Sequence, residues 1–587
     1  MFTVRTLRSL SLKFPPSRLL PAQHLASANP SRQFLRSRNA HLAATPLMMQ
    51  HNSPRKPDNV AKRRTNKRVK APRDNKSSGF DEVLQADIDA LLRRHKPETE
   101  LETDDAATPP QRTLPETFSE LEVQVADLSS TGDGLALTEG QDHVYVVPFT
   151  VPGDKVLVKV VRHFPALSYS LTDFIKVIEP GPTRNDSAIG CQYFSKCSGC
   201  QLQMMSYEDQ LAHKKRIVEK AYANFSGLIP ELIPAIDDTF PSPMQYGYRT
   251  KLTPHFAAPA GNKRRQQGPR EPHKVVPPIG FTFKNRRTDL DIEDCPLGTE
   301  IVRKGLKSER KRVADNLSKY TKGATLLMRE STTRIPKAED GTVADSPPPI
   351  NKPGQDSGDV IRTETDTCVE EKRCVTDNNA TSVEYVDNYV FTNKAGAFFQ
   401  NNNSILPGFT DFIRQLAIPP NNDKDAKPIK YLLDAYSGSG LFTITLSPLF
   451  KSSLGVDVAG DSITSARDNA RANALPNTGF AAADAATLFK DVPYPADQTL
   501  LVIDPPRKGC SDDFLRQLLT YGPRRVVYVS CNVHTQARDV AVMVQGDAQK
   551  NVRYEIESIR GFDFFPQTGH VEGVAILNKA TFPESSA

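Results

Sequence analysis

The sequence predicts an α/β protein: a doubly wound C-terminal domain, preceded by a small N-terminal β-barrel and a central, mainly β region. Two observations carry this. From Tyr431 onward, short apolar strands alternate with glycine turns and helix-length segments, the rhythm of a parallel sheet wrapped by helices. From about Glu120 to Glu179, brief alternating strands follow one another with only turns between them, as in a small barrel.

A chain of 587 residues has room for two or three domains with sizeable cores. Its 46 prolines and mean hydropathy of −0.46 leave a good part of it outside any core. The absence of any run of eighteen apolar residues excludes a membrane-spanning helix. Eight unevenly spaced cysteines do not make a disulfide scaffold in so long a chain, and point instead to metal binding or chemistry in a reducing compartment.

The first 57 residues contain no Asp or Glu, and Arg and Ser recur from Val4 to Lys13, the pattern of a mitochondrial presequence. The basic run Lys62–Lys70 suits nuclear import or phosphate contacts, and solvated disorder explains it equally well. Residues 1–115 are therefore expected to be a disordered basic leader outside the fold, addressed to the mitochondrion, the nucleus or both.

The barrel is expected over residues 116–180. Leu121–Leu128 alternates apolar and polar, Gly132-Asp133-Gly134 turns, and His143–Pro148 and Lys155–Val161 continue as strands. Such an OB-like barrel either binds RNA or only packs on its neighbour. Residues 181–395 form the central region, opening with Cys191, Cys197 and Cys200; a fourth thiol, Cys295, follows much later. A tight trio with a distant partner suits a [4Fe-4S] cluster, and four-cysteine zinc is the chemical competitor. Cys368 and Cys374 read as bystanders. Two stretches without hydrophobic period, 257–274 and 331–382, are expected to be disordered insertions.

Residues 396–587 carry the doubly wound domain. The strand Tyr431–Ala435 runs into Tyr436-Ser437-Gly438-Ser439-Gly440, a tight loop at a helix start, and a second strand ends in Asp457, a carboxylate able to bind ribose hydroxyls. Either NAD or S-adenosylmethionine would use such a crevice; the full dinucleotide fingerprint is absent, since Thr443 stands where its third glycine would be. Cys531 follows a strand and can supply a thiolate; Glu572 precedes a later strand and can accept a proton. Cys510 is the rival nucleophile, with no acid-base partner at motif spacing.

Phe398-Phe399-Gln400-Asn401-Asn402, the Asp434–Gly440 loop, Asp504-Pro505-Pro506-Arg507, Ser530-Cys531-Asn532 and His570-Val571-Glu572 occur in the order and spacing of the RNA uracil-5-methyltransferase family, which this chain resembles from about Glu120 to Lys579. The barrel resembles a TRAM domain, and the four cysteines resemble the iron-sulfur site of the bacterial ribosomal-RNA members. Val533 departs from the proline usual after Ser-Cys-Asn, and the two insertions are absent from compact bacterial members. The resemblance implies a Rossmann-like methyltransferase domain whose S-adenosylmethionine pocket is lined by Gln400, Tyr436, Leu441, Asp457, Asp484 and Asp504. It implies Cys531 as the nucleophile that adds to C6 of a uracil, Glu572 as the base that removes the C5 proton, and Cys191, Cys197, Cys200 and Cys295 as cluster ligands. It favours tRNA, at the T-loop uridine 54, over ribosomal RNA, because the leader and insertions suggest a eukaryotic chain and eukaryotic members act mainly there. A cytosine-C5 methyltransferase would place its nucleophile after proline, and no Pro-Cys dipeptide occurs. A non-catalytic RNA-binding protein would need neither Cys531 nor Glu572. No membrane association and no obligate protein partner is evident.

Overall fold

The computed structural model describes residues 79–95, 114–138, 140, 142–259, 271–419, 427–484, 488–489 and 492–582. The acid-free leader and the Lys62–Lys70 run lie outside the described residues. Residues 79–95 correct the expected boundary of the fold at 115. They form helix α1 (Gly79–His95), whose Leu84, Ile88 and Leu91 pack with Leu135, Val144, Val146 and Tyr169 of the barrel. Those positions recur at three- and four-residue spacing on one helix face. The surrounding basic and polar sequence hides this stripe from a reading based on composition.

The barrel is built as expected. Strands β1 (Glu120–Leu128), β2 (Gly134–Leu137), β3 (Val144–Val147), β4 (Lys155–Phe164) and β5 (Tyr169–Glu179) close in the order β1-β2-β3-β5-β4. Period-two burial produces its interior: Val156, Val158 and Val160 of β4 are fully buried, while the residues between them face outward.

Helix α2 (Tyr207–Phe225), capped by the Ser206 side chain accepting from Asp209 N–H, leads to β6 (Asp237–Phe240). The central region then holds β7 (Lys251–Leu252), β8 (His255–Phe256), β9 (Gly280–Thr282), β10 (Asp289–Asp291), helix α3 (Glu300–Asp315), β11 (Ala324–Thr325), β12 (Met328–Pro336), β13 (Asp356–Glu364), β14 (Cys368–Val375), β15 (Thr381–Val386) and β16 (Tyr389–Lys394). It is mainly β, as expected, but the expectation of disorder over 331–382 is wrong. Strands β12 and β14 pair along eight residues, and β13 pairs with β14 on its other side. Both faces of this sheet carry ion pairs, Arg334–Glu370 and Lys372–Glu330 on the face of Cys374 and Arg362–Glu371 on the other. Its inner face packs on α3, where the buried Cys374 leaves no room for a side chain at Gly305. Of the other expected insertion, residues 260–270 lie outside the described residues.

The C-terminal domain contains α4 (Leu406–Ala417), β17 (Tyr431–Ala435), α5 (Leu441–Leu446), β18 (Ser452–Asp457), α6 (Gly460–Ala472), β19 (Thr478–Ala482), β20 (Thr499–Ile503), α7 (Asp512–Tyr521), β21 (Arg525–Ser530), α8 (Val533–Gln545), β22 (Arg553–Phe562) and β23 (Glu572–Ala580). Its sheet runs β19-β18-β17-β20-β21-β23-β22-β6, with β17 to β21 parallel and β23 inserted antiparallel between β21 and β22. Strands buried on both faces read as continuous apolar runs, and Leu500–Ile503 and Val526–Val529 are fully buried. Helices α2, α7 and α8 fill the core on one face, and α4, α5 and α6 on the other. The chain order reverses between β17 and β20, which opens a crevice at their carboxyl ends. No helix among the described residues is long and apolar enough to cross a membrane.

Candidate active site

The crevice is a cavity of about 720 Å³. Gln400, Tyr436, Leu441, Asp457, Asp484 and Asp504 all line it, as do Cys531 and Glu572. Tyr436 turns the chain out of β17 at φ 64°, a left-handed conformation uncommon for a side chain of its size. Asp457 then organises the glycine loop, accepting from Gly438 N–H at 3.0 Å and Ala459 N–H at 2.7 Å. Thr443 serves where the dinucleotide fingerprint would have glycine: its N–H and hydroxyl both donate to Asp434, which is completely buried beneath the loop.

Strand register brings the two reactive side chains together. Ser530 of β21 lies opposite Gly573 of β23, so the next residues along, Cys531 and Glu572, face each other at the mouth of the ladder. Asn532 caps α8 through its side chain and also donates to Arg507 carbonyl at 2.9 Å, tying the nucleophile's turn to the loop after β20. Val533 sits at the first helical position, where proline is favoured and valine is tolerated. The residues around Cys531 are acidic. Burial pushes its thiol up to about 12, Glu572 and Asp504 add to the rise, and Arg507 opposes it by charge and hydrogen bond. Glu572 is raised by burial and by Asp504, with Arg507 again opposing; Asp504 is raised by burial and by Asp434; and burial lifts Asp434 to about 7. Glu572 and Cys531 thus share one guanidinium while Asp504 and Asp434 add carboxyl groups behind them, an arrangement that favours a ligand carrying positive charge.

The segment before Glu572 is fixed from every side. Asn402 donates to Phe564 carbonyl at 3.2 Å, Lys214 to Phe565 carbonyl at 2.9 Å, Tyr248 to Pro566 carbonyl at 3.2 Å, and the N–H groups of Gln201 and Leu202 to Gln567 carbonyl at 2.9 and 3.1 Å. Lys214 also pairs with Asp563, both fully buried, and Tyr207 donates to that carboxylate at 2.9 Å. Removing either partner of this pair would strand a buried charge, at a cost of about 3–5 kcal/mol. On the other wall, Lys251 donates to the Gly396 and Ala397 carbonyls and Arg329 to that of Ala397, fixing the chain just before Phe398 and Gln400.

Cys191, Cys197, Cys200 and Cys295 line one separate cavity of about 180 Å³, with Arg249 and Lys251. Burial raises all four thiols, Cys197 to about 11; neighbouring sulfurs add to the rise at Cys197, Cys200 and Cys295, and Asp294 adds to it at Cys191. Among the described residues, no three His, Cys, Asp or Glu side chains are grouped to hold a single metal ion. The loop carrying the trio docks on β9, Ser198 N–H donating to Thr282 carbonyl at 3.1 Å.

Cys510 is not part of the site. It packs in the core beneath the sheet, its N–H bound to Asp539, its thiol against Tyr528, and burial raises it strongly. Arg507 was legible in the Asp504 motif, but its role against the thiol appears only in three dimensions. The Lys214–Asp563 pair had no sequence signal, since 349 residues separate its partners. Phe398, 76% exposed at the crevice mouth, belongs to a motif that had been read only for Gln400.

The sequence profile of the tRNA (Uracil-5-)-methyltransferase family matches residues 371–580, and that of the TRAM domain residues 116–163. The chain is 41% identical over 521 residues to a tRNA (uracil(54)-C(5))-methyltransferase of Schizosaccharomyces pombe, spanning 88% of this chain and 86% of that protein. It is also 41% identical over 489 residues to the Saccharomyces cerevisiae protein of the same name, spanning 78% of this chain and 73% of the relative. Its fold is similar to the crystal structure of Pyrococcus abyssi tRNA (uracil-54, C5)-methyltransferase in complex with S-adenosyl-L-homocysteine, at a TM-score of 0.51 and 21% identity, covering 78% of this chain and all of that one.

The charges around Cys531 predict its reactivity. A thiol raised by burial and carboxylates is protonated at neutral pH, so alkylation should accelerate through the alkaline range as the thiolate forms. At mildly alkaline pH, Asp504→Asn should speed iodoacetamide labelling of Cys531 and Arg507→Ala should slow it, each by about tenfold, the equivalent of one pKa unit. Equal labelling rates in the three proteins would remove both charges from the thiol's environment.

Proposed function

The chain belongs to the tRNA (uracil-5-)-methyltransferase family, and on that premise we propose that it methylates C5 of a uridine in tRNA, at position 54, using S-adenosylmethionine. The observation that carries the reading is the opposition of Cys531 and Glu572 across β21 and β23, inside the crevice that Asp457 and Asp504 line. S-adenosylmethionine supplies an electrophilic methyl group on a cationic sulfur. Gln400, Tyr436, Leu441, Asp457, Asp484 and Asp504 hold it, and the buried carboxyl groups match its charge.

C5 of uracil is a weak nucleophile until something adds to C6. Cys531 forms the bond to C6 as a thiolate, losing its proton and pushing electrons through the ring to C5, and Arg507 steadies the charged sulfur. C5 then takes the methyl group. Glu572 removes the remaining proton from C5, and the returning electron pair breaks the sulfur–C6 bond, which restores the thiolate and leaves 5-methyluridine. The electrostatics suit this order. The cationic charge in the crevice favours an ionised Glu572 before transfer, and its disappearance on transfer makes Glu572 a stronger base when a proton must be accepted.

The four cysteines support a [4Fe-4S] cluster rather than zinc. They line one cavity, a tight trio with a distant fourth thiol that suits the larger cluster, and metal content decides between it and its competitor, four-cysteine zinc. Cys191, Cys197, Cys200 and Cys295 would hold such a cluster, which would fix the loop that grips Gln567. The acid-free leader supports delivery to the mitochondrion, and Lys62–Lys70 supports delivery to the nucleus.

Cys531→Ala should abolish methylation and fail to form a denaturation-resistant complex with 5-fluorouridine tRNA, which should trap the wild-type enzyme because fluorine blocks the final proton removal. Glu572→Gln should form that complex with ordinary tRNA, with turnover reduced by about 10² or more. Trapping by Cys531→Ala would reassign the nucleophile, and normal turnover by Glu572→Gln would reassign the base. Anaerobically purified protein should be brown and contain iron and sulfide, with Cys197→Ser bleaching it; colourless, zinc-containing protein would overturn the cluster.

A further inference from the structure

Helix α1 lies outside the barrel and does not line the crevice, yet one of its side chains is connected to the catalytic strand. Asp87, 2% exposed, accepts the N–H of Ser130 at 2.6 Å. Ser130 belongs to the turn between β1 and β2, a buried knot in which Gly132 N–H donates to Ser129 carbonyl at 2.9 Å and the Ser129 hydroxyl to Asp133 carbonyl at 2.7 Å. Lys284 of the central region pairs with Asp133 at 2.7 Å. At the tip of the turn, Gly132, at φ 82°, meets Gly569 backbone to backbone. A Cβ on Gly569 would lie 3.3 Å from the Cα of Gly132, and one on Gly132 would lie 3.1 Å from the Cβ of Gln201. Gln201 accepts from Gly569 N–H at 3.3 Å, so Gly569 is held between the barrel turn and the cysteine loop. Glu572 follows three residues later and opens β23.

We propose that Asp87 is a positioning residue for Glu572: it shapes the Ser129–Asp133 turn, the turn fixes Gly569, and Gly569 sets where the catalytic base enters its strand. The assignment rests on the reading of Glu572 as the base. Lys220 of α2 reinforces the same corner, donating to Asp127 at 3.3 Å and to Leu128 carbonyl at 2.9 Å, while Arg94 of α1 pairs with Asp127 at 2.5 Å. The helix therefore links the barrel to the step that releases product. A loosened turn displaces the base without altering the nucleophile or the methyl donor's pocket.

The test uses full-length Asp87→Ala, Asp87→Asn and Gly569→Ala with unmodified tRNA. Turnover, tRNA affinity and the fraction of enzyme in a denaturation-resistant covalent complex are measured together. Asp87→Ala should lower turnover by about tenfold, a fraction of what a general base contributes, and the covalent complex should accumulate because proton removal has become slow. Asp87→Asn keeps an acceptor for Ser130 N–H and should restore most of the turnover. Gly569→Ala perturbs the same contact from its other side and should also accumulate the complex, which decides the matter if Asp87→Ala does not fold. A loss confined to tRNA affinity, with no covalent complex in either Asp87→Ala or Gly569→Ala, would overturn the proposal. Glu572→Gln run in parallel separates the two failures: if it accumulates complex and the others do not, only the role of Asp87 falls.

Discussion

Burying Asp434, Asp504 and Glu572 at neighbouring strand ends, with Arg507 beside only Glu572 and Cys531, is the constraint on which the site depends. Each carboxyl is removed from water at the carboxyl ends of β17, β20 and the start of β23, and burial raises each of them. A protein interior favours such a group only when it is neutral or paired. Thr443 satisfies Asp434, Arg507 offsets the charge at Glu572 and Cys531, and the remaining deficit is met by a cation entering the crevice. The same deficit keeps the Cys531 thiol protonated in the free protein. Cys531 and Glu572 are therefore held near their neutral forms until the charge in the crevice changes.

That arrangement needs a rigid frame, because strand register alone places Glu572 opposite Cys531. The frame comes from distant parts of the chain. Carbonyl groups from Phe564 to Gln567 are each bound by a different donor, drawn from Asn402, Lys214, Tyr248 and the Gln201-Leu202 backbone. Central region and catalytic domain thus meet at one short segment, and the barrel turn reaches the chain just beyond it, at Gly569. The cysteine loop ends in Gln201, so the thiol cavity and the segment before Glu572 share one backbone contact.

Much of this was legible in the sequence. The glycine loop, Asp457, Asp504, Cys531 and Glu572 sit on strand ends, and strand ends of an α/β sheet are recognisable from apolar runs that stop at turn residues. The barrel was legible for a similar reason, its period-two alternation being undisturbed. Residues 331–382 have the composition of a disordered segment because ion pairs across β12, β13 and β14 occupy both faces of the sheet and dilute its apolar alternation. Helix α1 was missed because three apolar residues on one face, Leu84, Ile88 and Leu91, are few against a basic background. Lys214–Asp563 and Asp87–Ser130 join residues far apart in the chain, and no local pattern announces such contacts.

The most direct test of the account is the mass of the complex trapped by Glu572→Gln. After digestion by protease and ribonuclease, the peptide containing Cys531 should carry a uridine nucleotide with one added methyl group, because addition and transfer precede the step that Glu572 performs. A nucleotide lacking the methyl group, or one attached to Cys510 instead, would contradict the opposition of Cys531 and Glu572 as nucleophile and base.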